Sequence, residues 1–160
     1  MIMDMMLYEK KLPAQAHDLQ SFVTMRVHNQ LFGASVKLVQ DVVRAQKIAP
    51  IPLAPPVIQG AINLRGRIVT AFNMYRRLGL PVEQQPEKHM NVVIEYRDEL
   101  FSLMVDSVGD VLNIPLSKID KPPVNMQANW QEIAAGVYRL DNEILLLLDV
   151  ERLLAMNCEK

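Results

Sequence analysis

The stretch Gly60–Leu78, GAINLRGRIVTAFNMYRRL, decides how this chain is read. A polar, glycine-bracketed segment, Asn63-Leu64-Arg65-Gly66, lies between two apolar runs that look like buried strand. Tyr75–Leu78 before Gly79 reads as a short helical turn closed by glycine. The same pattern returns 76 residues later as GVYRLDNEILLLLDVERLL, Gly136–Leu154. Gly60, Leu64, Ile68, Arg76 and Leu78 then meet identical residues, five of nineteen, and Asn73 falls on Asp149. A second offset, of 69, lays Val23–Val43 over Val92–Leu112 with seven identities in twenty-one positions. Apolar composition inflates such counts. Both matches are gap-free and follow the same order, however, so the chain reads as an internal duplication.

Each half carries a hairpin, a short connector, a proline-rich loop, a strand, a turn, a strand and a short helix. In the first half, Phe22–Val27 and Leu31–Val36 flank the turn His28-Asn29-Gln30. In the second, Val92–Tyr96 and Leu100–Val105 flank Arg97-Asp98-Glu99. Pro50, Pro52, Pro55 and Pro56, then Pro115, Pro122 and Pro123, interrupt regular structure between the blocks. Asp149 is placed to cap a short helix over 149–154. Ile68 is expected inside its strand's core, and Trp130 in a loop packed over a barrel end. Four or five short strands per half with no long helix predict a mainly β fold of two related small barrels, packed with a pseudo-twofold relation. The expected boundaries are a flexible leader over 1–20 and one domain over 21–160. Its first subdomain spans roughly 21–86 and its second roughly 87–155.

Composition limits the function. Half of the 160 residues are hydrophobic, 22% are charged, and the net charge is −1. There is no basic excess for nucleic acid and no Lys/Arg run for a membrane surface. The longest aliphatic run, Ile144–Leu148, is five residues, against about 20 for a span, so no direct membrane insertion is expected. The methionine-rich N-terminus carries Asp4 and lacks a signal-peptide core, which points to the cytoplasm. Cys158 is the single cysteine and makes no internal disulfide or thiolate cluster. His17, His28 and His89 lack metal-ligand spacing. Neither a nucleophile elbow nor a phosphate-cradling glycine loop is present. Asp98-Glu99 and Asp141-Asn142-Glu143 sit at turns, where solvated charge is the norm. No catalytic residue, cofactor or metal is therefore expected, and a binding module is favoured over an enzyme. A small hydrolase with dispersed catalytic residues is the alternative of another class.

Three blocks carry a family resemblance. They are Val39-Gln40-Asp41-Val42-Val43, Gly60-Ala61-Ile62-Asn63-Leu64-Arg65-Gly66-Arg67-Ile68-Val69, and Val105-Asp106-Ser107-Val108-Gly109-Asp110-Val111-Leu112. Together with Ile144–Leu154, in this order and spacing, they resemble the CheW-type chemotaxis coupling proteins over about residues 20 to 155. The resemblance implies two five-stranded, SH3-like β-barrel subdomains around a shared hydrophobic interface. It implies a non-catalytic adaptor that bridges the cytoplasmic tips of methyl-accepting chemoreceptors to the regulatory domain of the histidine kinase CheA. The adaptor would thus be cytoplasmic, in membrane-bound receptor arrays. A related circuit, such as pilus-linked motility, is the alternative within the same fold. Carried over by position, the receptor-facing groove would use Val39 for apolar contact, Gly60 for close backbone approach, and Arg65 for polar register, paired with Asp41. Thr70, Ala71 and Asn73 depart from the proline, aliphatic residue and aspartate usual after the Arg-Gly. Thr70 therefore keeps a backbone N–H that proline would remove, with a possible consequence for a sheet edge.

Overall fold

The computed structural model describes residues 18–155. The leader reading for 1–17 and Cys158 lie outside the described residues. Ten strands and three short helices follow in order: β1 (Leu19–Val27), β2 (Gln30–Ser35), β3 (Val39–Arg44), β4 (Ile58–Leu64), β5 (Arg67–Asn73) and α1 (Met74–Leu78). Then come β6 (Met90–Tyr96), β7 (Glu99–Val105), β8 (Ser107–Pro115), α2 (Ala128–Ile133), β9 (Ala134–Arg139), β10 (Ile144–Leu148) and α3 (Val150–Leu154). β1 starts at Leu19, so the last two residues assigned to the leader are strand.

Turn chemistry sets the hairpins. His28-Asn29, Arg65-Gly66 and Arg97-Asp98 all have both residues at positive φ, between 52° and 84°. That is the two-residue turn whose twist matches paired strands. Asn73 and Asp149 cap the helices that follow them, accepting from Arg76 N and Arg152 N at 3.1 Å each.

The sheets have the orders β8-β1-β2-β10-β9 and β3-β6-β7-β5-β4. Each takes strands from both halves of the chain. The divide expected near residue 86 thus separates the two repeat copies but not the two sheets. The repeat holds at the level of register. The offset of 69 carries the pairing Val39↔Ile94 onto Val108↔Met25. Offsets of 76 and 69 carry the parallel pairing Thr70↔Phe101 onto Leu146↔Phe32, in reversed order of copies. Every strand therefore has a twin at the same place in the other sheet. No ladder joins β8 to β9 or β3 to β4 among the described residues, so the barrels are curled rather than closed. Their outer edges are blunted instead. Ala49 pairs both ways with Ala61 on β4, and Asp120 with Val137 on β9.

The inner face of each sheet holds a small apolar cluster. One contains Ile62, Val69, Ala71, Val93, Leu100 and Met104; the other contains Phe22, Leu31, Ile114, Leu145 and Leu147. A larger cluster lies between the sheets and includes Met25, Phe32, Phe72, Ile94, Leu103 and Leu146. This is the shared hydrophobic interface.

Three expectations change. Ile68 is 67% exposed, because the strand alternation that turns Val69 inward turns Ile68 out. Thr70 does not lie at an edge, since β5 is flanked by β4 and β7. Trp130 belongs to α2 rather than a loop; its ring packs on Phe32 at 5.7 Å and its Nε1 donates to Leu78 O at 2.9 Å.

Candidate recognition surface

Arg65 occupies the first turn position of the β4–β5 hairpin, with φ 54°, and Gly66 follows with φ 84°. The Asn63 side chain accepts from Gly66 N at 3.0 Å and holds the turn. From there Arg65 Nη1 donates to Asp41 Oδ2 at 2.8 Å. Asp41 lies on β3, the opposite edge of the same sheet, so sheet curl brings the two together across the seam. Asp41 Oδ1 also accepts from Val42 N at 2.9 Å. Arg65 is 76% exposed and Asp41 30%. An exposed pair of this kind contributes about 0–1 kcal/mol to stability, and its main effect is to aim the guanidinium.

Val39 lies two residues before Asp41 on β3, half-buried against the large cluster. A bulge separates the two along the strand. Gly60 is placed differently. A Cβ there would lie 2.3 Å from Ala49 O and 2.6 Å from Ile48 Cγ2, and φ is +153°. The close approach that needs glycine is therefore made by the chain's own loop, which blunts β4. Gly136 makes the matching approach on the other sheet, where an added Cβ would lie 2.6 Å from Ile119 Cγ2 and 3.0 Å from Asp120 O. The structure brings Asp41 and Arg65 together and puts Gly60 against Ala49 instead.

The second sheet carries a latch of reversed polarity at its matching turn, reached from an inner strand rather than across the seam. Arg26 on β1 makes a two-pronged contact with Glu143, at 3.0 and 2.7 Å. The hydrogen bond from Arg26 holds the Glu143 carboxyl below its ordinary range, and the same bond raises the Arg26 guanidinium. Glu143 sits at the β9–β10 turn, the twin of the turn that holds Arg65. Sequence reasoning missed this pair because its members are 117 positions apart and no local pattern links them. The tips consequently differ in charge: Arg65 and Arg67 on one, Asp141 and Glu143 on the other.

A further polar tie fixes α1. Tyr75 Oη donates to Asp106 Oδ2 at 2.8 Å, and Asp106 Oδ2 also accepts from His28 N at 2.8 Å. Burial, then the bond to Asp106, push the Tyr75 phenol up to about 12. Arg77, also buried, donates to the carbonyls of Leu153 and Arg152 at 3.0 and 3.2 Å, tying α1 to α3. These arrangements fix surfaces in place and present oriented charge and apolar edges, the chemistry of recognition. No helix among the described residues is long and apolar enough to cross a membrane.

Comparison with known proteins gives a consistent picture. A family model described as CheW-like domain matches residues 21–158. The chain is 25% identical over 152 residues to a chemotaxis protein CheW from Treponema pallidum, covering 92% of this chain and 89% of that one. It is 26% identical over 135 residues to a chemotaxis protein CheW from Bacillus subtilis, covering 84% and 86%. Its fold matches the crystal structure of the scaffolding protein TtCheW from Thermoanaerobacter tengcongensis. There the TM-score is 0.76 at 25% identity, over 84% of this chain and 86% of that one.

Proposed function

The chain belongs to the CheW-like domain family, and from that premise we propose that it is a chemotaxis coupling adaptor without catalysis of its own. It joins the cytoplasmic tips of methyl-accepting chemoreceptors to the regulatory domain of a CheA-type histidine kinase, within arrays at the membrane. The observation that carries this reading is the family match along nearly the whole described chain, on a fold built twice over around one interface. The receptor-facing groove uses Val39 for apolar contact and the Asp41–Arg65 pair for register. The oriented guanidinium of Arg65, held at 2.8 Å yet largely exposed, supports that role, because such a charge favours specificity more than stability. Gly60 contributes indirectly, by letting the Ala49 loop close against β4.

The test is a titration of the chain against a purified kinase regulatory domain and a receptor-tip fragment from the same organism. Binding to both, weak singly and strengthened when the partners are linked, is expected. Binding to neither sinks the reading. Arg65→Ala should weaken the receptor arm while leaving the kinase arm intact; equal affinity for the receptor fragment removes Arg65 from the groove.

A further inference from the structure

The duplication provides an internal control for every surface, since each place on one sheet has a twin on the other. At one pair of twins the two copies are finished differently. Val27 and Phe32 on the β2 sheet, with Tyr75 and Leu78 of α1 packed on them at the margin of the shared interface, are fully covered; each is 1% exposed or less. At Phe32 and Leu78 the cover is α2. Trp130 packs on Phe32, its Nε1 donates to Leu78 O, and Asn129 Nδ2 donates to the same carbonyl at 2.8 Å. His28 seals the margin edge-on against Tyr75 at 5.8 Å.

The offsets carry these positions onto Tyr96 and Phe101 of the sheet containing β7 and onto Glu151 and Leu154 of α3. No helix equivalent to α2 covers them among the described residues. Tyr96 and Phe101 are only partly buried there. With Arg97, Glu99, Glu151 and Leu154 they line an open cleft of about 350 Å³. The twin of the His28–Tyr75 contact is a loose ion pair, Arg97–Glu151 at 3.7 Å, with both partners more than 65% exposed. The twin of the capped Leu78 carbonyl, Leu154 O, receives no side-chain donor among the described residues. Beside Phe101, Thr70 stands where the other copy has the buried Leu146. The positions that would need to be apolar under a permanent cover are polar here: Thr70 beside the cleft, and the exposed Arg97 and Glu151 at its margin. The aromatic floor is kept.

We propose that this cleft is a docking site for a helical turn of a partner protein, and that the turn carries a tryptophan flanked by a basic residue. The tryptophan repeats on Phe101 and Leu154 what Trp130 does on Phe32 and Leu78. The basic residue answers Glu99, which is exposed and makes no ion pair among the described residues, and Glu151, whose own pair is loose. Ring burial supplies most of the contact. The charged margin opens at little cost, because an exposed pair holds weakly. Arg65 does not line the site, which stands whether or not the adaptor reading holds.

The probe is a capped peptide copying Val124–Ala134 of this chain with Glu132→Lys, titrated into the isotopically labelled full chain and read by amide chemical shifts. Saturable shifts centred on Tyr96, Phe101 and Leu154 are expected, with about tenfold weaker binding when the peptide's Trp130 is Ala. Phe101→Ala in the full chain should abolish the shifts. Glu99→Lys, on the exposed rim and neutral for folding, should weaken them several-fold. No saturable shifts at this face, or shifts indifferent to loss of the tryptophan, overturn the proposal. So does binding seen only in a chain ending at Ala155, since the chain's own last residues would then be the occupant. Shifts that appear on concentrating the chain alone would name a second copy instead, with the same consequence.

Discussion

At the scale of single residues, the difference between a turn's needs and a surface's needs is measurable. Gly66 sits at φ 84°, where the hairpin favours glycine, whereas the long side chain of Arg65 is directed at Asp41 and plays no part in the turn's own hydrogen bond from Gly66 N to Asn63. Arg65→Ala should change stability by less than about 1 kcal/mol in urea unfolding. Gly60→Ala should cost about 2 kcal/mol or more. The new methyl would meet the Ala49 carbonyl at 2.3 Å from a backbone at positive φ. A wild-type midpoint for that variant would show that the loop yields freely. Ile68→Asp, with 67% of the residue in water, should stay within about 0.5 kcal/mol of the parent chain. Acid should loosen the Arg26–Glu143 latch. The folded carboxyl titrates below the unfolded one, so its contribution is present above the unfolded value and fades as pH falls through the folded value. Glu143→Gln should flatten that part of the stability profile, on the acid side of the ordinary carboxylate range.

At the scale of elements, α1 shows how a five-residue helix is made firm without intrinsic propensity. Asn73 caps it, Arg77 ties it to α3, and Tyr75 ties it to Asp106. Tyr75 binds its proton more tightly when folded. Its contribution is therefore whole below its ordinary pKa of 10.0 and is lost as pH rises toward about 12. A shift of that size corresponds to about 2–3 kcal/mol. In alkaline urea unfolding, the parent chain should lose stability over this range more steeply than Tyr75→Phe. Parallel curves would detach Tyr75 from the effect. Asp149 was legible as a cap in the sequence, because a cap acts within three residues; Asn73, its match in the repeat, was shown to cap only by the structure. Trp130 was not legible as helix. Its assignment rests on Phe32 and Leu78, about a hundred and about fifty positions away.

At the scale of the whole molecule, the exchange of strands between repeat copies makes the chain one cooperative unit. Separate halves, cut between Pro86 and Glu87, should each show collapsed amide dispersion alone and recover native spectra when combined, since each sheet takes strands from both halves. A half that folds by itself would contradict this. The sequence by itself determined the strand-rich class, the hairpins with their turns, the cap at Asp149 and the duplication, because all of these are local patterns or repeats of local patterns. It also placed Asp41 and Arg65 in one region through a family resemblance. Only the tertiary structure decided which strands share a sheet, that Arg26 meets Glu143, that Gly60 serves the chain's own loop, and that one aromatic face is roofed while its twin is open. Those outcomes depend on curl and on parallel pairing between strands far apart in the chain. The repeated segments give no sign of which copy will be covered, since the cover comes from α2, which lies outside both repeated blocks.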